Sequence, residues 1–323
     1  MFTSMSTTPT DSTNSPALPD KPKAKKTGRI VGIAAVALAV IVAVVLLVVN
    51  LTGGGGNNSG GRVTVKIGTT NASADEWPIL VKLAATHGID IKLVNFSDYN
   101  QANPALAQGQ LGLNEFQHLL YLASYNVSTG NTLTPIGSTF VVPLGLYSKK
   151  HTSLSEIPQG GQVAIPNDPT NQARALLVLQ QAGLVKLRNG GNVLSTPADI
   201  DNAASKVKVT PIDASQTVAS LPSVDAAVVN NNFALDGKLD PTKALYKDDP
   251  SKPDAEPYIN VFVSRAADKN NPTYLKIVEL YHDPSVLKAV EDTSKGTAVT
   301  VNRSQAQLQT ILAQLGQTVR NDK

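Results

Sequence analysis

From about residue 62 onward, apolar and polar positions follow two periods in turn. Apolar residues at every second position predict strands, whereas apolar residues three and four apart predict helices. The predicted strands are VTVKIGT (63–69), IDIKLVNF (89–96), LGLNEF, TLTPIGSTFVVPLGLYS (132–148), QVAIPN (162–167), KVKVTPID (206–213), VDAAVVN (224–230) and YINVFVSR (258–265). The predicted helices are DEWPILVKLAATHG (75–88), NPALAQG (103–109), QHLLYLASYN, TNQARALLVLQQAG, ASQTVASLP, TYLKIVELYH (273–282) and QAQLQTILAQLGQTVR (305–320).

This alternation of strands and helices predicts an α/β fold with parallel sheets. Two such sets, joined by the long strand 132–148, predict two lobes around a ligand cleft. We expect lobe 1 to comprise residues 62–144 and 262–323, and lobe 2 residues 145–261. In open α/β sheets ligands bind beyond the carboxyl ends of the strands, so those ends define where to look for a site.

Residues 1–61 have a different composition and are expected to stay outside the fold. Residues 1–29 are rich in Thr, Ser, Pro and Lys and predict a disordered tail. The 20 uncharged residues from Ile30 to Val49 would span about 30 Å as a helix, which predicts a transmembrane anchor over 30–51. A cleaved signal peptide is the alternative, but its apolar region is usually shorter. Residues 52–61 form a glycine-rich linker.

Charge and cysteine content narrow the function classes. Basic residues just before the apolar run predict a cytoplasmic tail, with residues 62–323 on the other side of the membrane. Residues 1–61 hold five of the 28 Lys and Arg and two of the 25 Asp and Glu, which leaves 23 of each for the rest. A neutral domain does not indicate a nucleic-acid partner. The chain has no cysteine, so disulfides, thiolate metal sites and a lipidated cysteine are excluded.

Arg174 is the most informative of the polar residues near strand ends. A cation early in a helix lies near the positive end of the macrodipole, so helix stability does not explain it. A guanidinium there can bind a carboxylate bidentately, and a salt bridge to a surface Asp or Glu is the alternative. Other candidates follow the predicted strands. They are Tyr99, Phe116, His118, Tyr121, the run Asn167–Asn171, Asn230 and Asn260.

These residue types together describe a site for a free amino acid. Arginine would bind its carboxylate, asparagine oxygens would accept from its ammonium group, and aromatic rings would enclose its side chain. His118 and Tyr121 are expected to share one helix face, three residues apart. Each residue also has a purely structural reading, since the rings are compatible with a core role and the asparagines with turns.

The sequence gives less support to a catalytic function. The chain lacks GxSxG, HExxH, P-loop and GxGxxG motifs, and its four histidines lack metal-ligand spacing. We therefore expect no metal and no cofactor. An enzyme with Asp168 and His118 as an acid/base pair is the remaining alternative of this class.

Several segments resemble the methionine-binding lipoproteins of the MetQ/NlpA family, the solute-binding components of methionine ABC importers. FSDY, NEFQH, YSKK and PNDPTN occur in that order, within a resemblance covering about residues 63–323. The resemblance implies a two-lobed periplasmic-binding-protein (type II solute-binding) fold. It also implies a methionine ligand, an ABC permease with its ATPase subunits as partners, and no catalysis. The implied ligand-binding residues are Tyr99, Phe116, His118, Tyr121, Arg174, Asn230 and Asn260.

Two departures accompany the resemblance. The family's usual lipidated cysteine is missing, so the apolar run at 30–49 would supply the anchor. Leu119 and Leu120 replace the more usual Lys-Pro ahead of Tyr121. A change in the start of this helix would alter the position of the Tyr121 ring. Another small amino acid as ligand, or a ligand-gated sensor ectodomain, remain alternatives, and the stereochemistry of the ligand stays open.

Overall fold

The fold is seen in a computed structural model that describes residues 61–322, which form one compact unit. Strands and helices alternate along the chain as the sequence pattern predicts. The principal elements are β1 Val63–Thr69, α1 Glu76–Thr86, β2 Ile89–Asn95, α2 Tyr99–Ala107, β3 Leu113–His118, α3 Leu119–Thr129, β4 Thr134–Ser138, β5 Phe140–Val141, β6 Gly145–Tyr147, β7 Gly161–Pro166, α4 Pro169–Gln181, β8 Val207–Ile212, α5 Thr217–Ser220, β9 Ala226–Val229, α6 Asn231–Asp236, β10 Tyr246–Lys247, β11 Asn260–Ser264, α7 Pro272–Tyr281, α8 Pro284–Thr293, β12 Val299–Thr300 and α9 Gln305–Asn321.

The first lobe is built on a five-stranded sheet of order β2-β1-β3-β11-β4. β1 is parallel to β2 and β3, whereas β11 runs antiparallel to β3 and β4. Successive side chains of β11 face opposite ways: Val261 and Val263 pack with α2, α3 and α9, and Phe262 packs with α1, α7 and α8. Helices therefore cover both faces, which explains why residues 261–263 of β11 are apolar on both sides of the sheet.

The second lobe is built on the sheet β10-β6-β9-β7-β8. β7 is parallel to β8 and β9, and β6 runs antiparallel to β9. Leu176 and Leu179 of α4 pack on one face with Val163, while Ala234 of α6 packs on the other with Ala227. The two sheets confirm the predicted two-lobed α/β architecture.

The segment 132–148 is not the single long strand that the pattern predicts. It contains β4 in the first sheet, β5 in a small ladder with β12, and β6 in the second sheet. Pro143 lies in the gap between β5 and β6, where a missing N–H costs no ladder bond. This segment is thus the first crossing between the lobes.

Other boundaries differ from the prediction in ways that matter for the cleft. β11 belongs to the first sheet, so the expected lobe boundary between residues 261 and 262 cuts a strand and is wrong. α2 begins at Tyr99 rather than at residue 103, because Asp98 caps it by accepting from the Asn100 N–H. The predicted helix ASQTVASLP shortens to α5 and a preceding turn, and α6 and α8 were not predicted.

The expected tail 1–29, anchor 30–51 and most of the linker 52–61 lie outside the described residues. Among residues 61–322, no helix is both long and apolar enough to cross a bilayer.

Candidate functional site

A cavity lies between the two sheets, where the carboxyl ends of their parallel strands meet. The space between atoms in the cavity and its mouth is about 750 Å³, a volume that includes open solvent. The ends of β1, β3 and β9 all reach it, as the switch-point rule for open sheets predicts. All seven residues predicted for the site line this cavity: Tyr99, Phe116, His118, Tyr121, Arg174, Asn230 and Asn260.

Aromatic rings form one wall of the cavity. Tyr99, Phe116 and Tyr121 contact one another with ring centroids 5.8–6.1 Å apart. The ring of Phe233, in the second lobe, lies 5.1 Å from that of Tyr99, so aromatic contacts behind the wall join both lobes. These spacings are typical of aromatic pairs. The Tyr99 hydroxyl also donates to the Asn232 side-chain oxygen, which joins the lobes directly.

A bulge in β3 presents Phe116 to the cavity. In the ladder with β11, Gln117 pairs with Val261 and Glu115 with Phe262, so Phe116 has no partner of its own. A bulge re-aims the extra side chain, and bulges are common beside binding sites. The sequence pattern placed Phe116 at the end of a strand but gave no sign of the bulge.

His118 ends β3 and caps α3, so the expectation that it shares a helix face with Tyr121 is wrong. Its Nδ1 accepts from the Tyr121 N–H at 3.1 Å, and its Nε2 faces Asn171 Oδ1 at 3.4 Å. Since Nδ1 is an acceptor, the ring proton is on Nε2. Burial, and after it the charge of Arg174, lowers the pKa of His118 to about 3. The ring is therefore neutral at physiological pH.

The alternative acid/base pair of Asp168 and His118 is not supported by this arrangement. Asp168 caps α4 by accepting from the Asn171 N–H at 3.0 Å, and Asn171 lies between the two side chains. A histidine that stays neutral down to low pH is a weak base, and its Nε2 already donates. Both residues are N-caps, His118 of α3 and Asp168 of α4.

Arg174 is buried, 5% exposed, in the second turn of α4. Its Nε donates to Asp248 Oδ2 at 2.7 Å, and its Nη2 donates to Asp248 Oδ1 at 3.2 Å and to the Val142 carbonyl at 2.8 Å. The guanidinium also lies over the Tyr258 ring, 4.1 Å from its centroid. The expected bidentate hold on a ligand is therefore wrong for this state, because Asp248 occupies that edge.

One nitrogen of Arg174 remains for a ligand. Within residues 61–322, Nη1 makes no hydrogen bond, and Arg174 lines the cavity. The position beyond the first turn also removes most of the macrodipole cost that singled out this residue. The ion pair with Asp248 compensates for the burial of the Arg174 guanidinium and fixes its position.

The orientation of the asparagines follows from Asp168. The Asn171 Nδ2 donates to both Asp168 oxygens at 3.1 Å, so its Oδ1 points the other way and accepts from Asn230 Nδ2 at 2.9 Å. Asn230 therefore turns its own Oδ1 away from this network. That atom is buried and has no hydrogen-bond partner among the described residues. A buried acceptor without a partner is rare and indicates a missing donor.

Two buried carboxyl groups also line the cavity, and sequence reasoning missed both. Glu76 is the first residue of α1, and Glu115 lies in β3 with its Oε1 accepting from Thr139 Oγ1 at 3.1 Å. Burial raises the pKa of Glu76 to about 7, and burial followed by the charge of Glu76 raises the pKa of Glu115 to about 8. The available signal for Glu115 was an acidic residue within the short predicted strand LGLNEF.

Residues 61–322 contain no group of three or more His, Cys, Asp or Glu side chains placed to hold a metal ion. The cavity's polar groups are mostly amides and carboxyls. Such groups suit hydrogen bonding to a small polar ligand.

Comparison with known proteins gives the same architecture. The family model described as NlpA lipoprotein matches residues 65–302. The chain is 38% identical over 216 residues to the Escherichia coli (strain K12) D-methionine-binding lipoprotein MetQ, covering 66% of this chain and 78% of that protein.

Two solved structures extend the comparison. The substrate binding protein of a methionine transporter from Streptococcus pneumoniae has 39% identity and a TM-score of 0.69, covering 74% of this chain and 95% of that one. A nutrient binding protein from Burkholderia cenocepacia, bound to methionine, has 38% identity and a TM-score of 0.67, covering 73% and 99%. This chain belongs to the NlpA lipoprotein family.

Proposed function

We propose that this protein is an extracytoplasmic solute-binding protein that captures methionine and delivers it to an ABC permease with its ATPase subunits. The proposal assigns no catalytic step to the cavity. Binding alone selects the ligand, and contacts between the two lobes enclose it.

The observation that carries the proposal is the unpaired oxygen of Asn230 in a cavity that also has an unpaired donor and an aromatic wall. Asn230 Oδ1 suits an ammonium group, and Arg174 Nη1 suits a carboxylate oxygen. The rings of Tyr99, Phe116 and Tyr121 suit a thioether, which gains about 0.3–1.5 kcal/mol per aromatic contact. A zwitterion with a soft side chain matches all three features.

Relatives support the choice of ligand. Proteins named as D-methionine-binding lipoproteins share 38% identity with this chain, and a structure with 38% identity is described as bound to methionine. A third relative is the substrate binding protein of a methionine transporter. We carry that ligand and that transport role over to this chain as part of the proposal.

A melting screen with single amino acids tests the ligand. A ligand at about 100 times its Kd stabilises the folded state by about 2.7 kcal/mol, and each kcal/mol raises Tm by roughly 2–4 °C at this size. We expect methionine to raise the Tm of the purified chain by roughly 5–10 °C and to exceed every other standard amino acid. A larger shift with another amino acid would replace methionine as the ligand.

We also propose that Ile30–Val49 anchors the protein as an uncleaved membrane span, with the binding domain outside. The support is the length and lack of charge of this run in the sequence. Mature protein is expected to fractionate with membranes and to retain Lys21–Arg29 on N-terminal sequencing. Recovery of soluble protein that starts beyond Leu51 would contradict the anchor and leave the ligand proposal standing.

A further inference from the structure

The carboxyl groups of Glu76 and Glu115 have no role in the site as described so far. Both side chains are more than nine-tenths buried, at 7% and 6% exposure, and both line the ligand cavity. The Oε2 of Glu76 is buried without any hydrogen-bond partner in the described part of the chain. Asn230, which lines the same cavity, also has a buried Oδ1 without a partner. Two buried oxygens without partners indicate that a ligand supplies hydrogen-bond partners here.

The cavity contains no free positive charge to balance these carboxyls. Among the described residues that line it, Arg174 is the cationic one, and Asp248 neutralises it through two hydrogen bonds. His118 stays neutral because its pKa is lowered to about 3. Burying an unpaired carboxylate is costly, so the empty cavity favours protonated carboxyls. The raised pKa values of Glu76 and Glu115, about 7 and about 8, follow from that.

The elements packed around the pair do not supply a cation either. Asp75 precedes Glu76 and adds negative charge, and Tyr281 of α7 has a buried hydroxyl without a partner. The His282 Nε2 lies 3.0 Å from the Ser138 carbonyl oxygen, so its ring is engaged elsewhere. A cation for the pair must come from outside the protein.

Glu115 is linked through Thr139 to Asn260, which lies where the ligand's amino group is predicted to bind. Thr139 Oγ1 donates to Glu115 Oε1 at 3.1 Å, and the Thr139 N–H donates to the Asn260 carbonyl at 2.9 Å. Asn260 is one of the asparagines predicted to contact the ligand's amino group. The same short segment therefore fixes both Glu115 and Asn260 beside the cavity.

We propose that Glu115, assisted by Glu76, is the counter-charge for the ligand's ammonium group, so that binding drives one proton out of the carboxyl pair. This inference rests on the proposed function and names a further specificity-determining group within it. The ligand enters as a zwitterion and keeps its –NH₃⁺. The released proton passes from the carboxyl to the solvent, and no bond of the ligand changes.

The sign of the pH dependence follows from linkage. The complex holds fewer protons than the empty protein wherever the pair is protonated before binding. Affinity therefore rises with pH below the raised pKa values, by at most about tenfold per pH unit for each proton released. The rise levels off above pH 8, because Glu115, whose pKa is raised to about 8, is then mostly ionised without ligand. A site without a coupled proton has a flat profile across this range.

The number of protons released per methionine can be measured by calorimetry. The full chain is titrated with methionine in two buffers of different ionisation enthalpy. At pH 7 we expect release of about half to one proton per methionine, and a smaller release at pH 8, where Glu115 is partly ionised before the ligand binds. Methionine binding without proton release at pH 7 would overturn the inference and leave the proposed function intact. Absence of methionine binding at every pH would contradict the proposed function, and this inference with it.

Isosteric variants assign the proton to residues. Glu115→Gln is expected to lower methionine affinity at pH 8 at least about tenfold and to abolish most of the proton release. Glu76→Gln, a second variant in case the first fails to fold, should reduce the release partly. Glu291→Gln, on the exposed side of α8, is the matched control and should keep both values.

An analogue without the amino group, 4-(methylthio)butanoate, separates counter-charge from packing. Glu115→Gln should leave its affinity unchanged or raise it, since no ammonium is present to lose a partner. Equal losses for methionine and the analogue would make Glu115 a packing residue and overturn the inference.

Discussion

Replacing Arg174 by alanine is expected to weaken methionine binding by roughly 30-fold to several-thousand-fold. The guanidinium is buried, its residue lines the cavity, and its Nη1 makes no hydrogen bond within residues 61–322, so its loss is expected to leave the ligand carboxylate without its charged partner. Truncating one member of a buried charge pair costs about 2–5 kcal/mol, which gives that range. Arg174→Lys should recover only part, because an ammonium group lacks the planar fork that bonds both Asp248 oxygens and the Val142 carbonyl and leaves a further nitrogen for a ligand. Calorimetric titration with methionine measures the effect.

The ion pair with Asp248 makes a stability control necessary. Arg174→Ala also leaves the Asp248 carboxylate, which accepts from the Leu144 N–H at 2.7 Å, without its cation, so Tm should fall. Asp248→Asn separates the two roles. It lowers Tm as well, yet it removes a competing carboxylate and should keep or increase methionine affinity. Arg320→Ala, at an exposed position of α9, controls for the loss of an arginine. Near-wild-type affinity of Arg174→Ala would remove this residue from the site.

Truncating the aromatic wall is expected to give the second largest effect and to depend on the ligand. Phe116→Ala should weaken methionine binding by about 30-fold, since buried aromatic anchors cost 2 kcal/mol or more when truncated. Alanine should lose much less, because its methyl group does not reach the rings. Tyr121→Ala should behave alike, since its ring lies 5.8 Å from that of Phe116. Calorimetry measures the ratio of methionine affinity to alanine affinity, and this ratio should fall in both variants.

Tyr125→Ala is the matched control for the wall, since it lies one turn further along α3 and does not line the cavity. It should leave the ratio of methionine to alanine affinity unchanged. If Phe116→Ala weakened both ligands equally, the ring would be structural and the thioether would be bound elsewhere.

The sequence was sufficient to predict the convergence of the site. Seven residues between Tyr99 and Asn260 line one cavity because the carboxyl ends of the parallel strands in the two mixed sheets meet there, and the order of elements was predictable from periodicity. The resemblance to a known family then selected which strand-end residues to group. The predictions thus needed the local pattern, a general rule of topology and the family resemblance.

What the sequence did not predict depends on contacts between distant residues. Asp248 is 74 positions from Arg174, and nothing in the sequence around it indicates this ion pair. The hydrogen bonds that Asp248 makes to the guanidinium could therefore not be predicted. The same holds for the orientation of Asn230, which follows from Asp168 through Asn171. The bulge at Phe116 depends on register with β11. Local propensity does not encode such pairings, because the free energy that fixes them comes from tertiary burial.

The central claim, that the cavity binds methionine through both its zwitterionic end and its thioether, is tested most directly by one calorimetric comparison. The purified full chain, dialysed free of ligand, is titrated with methionine and with alanine. Burial of the extra methylene, sulfur and methyl groups against aromatic rings gains roughly 2–3.5 kcal/mol. The account predicts saturable binding of one methionine per chain, with alanine roughly 30- to 300-fold weaker. No saturable methionine binding, or equal affinity for both amino acids, would contradict it.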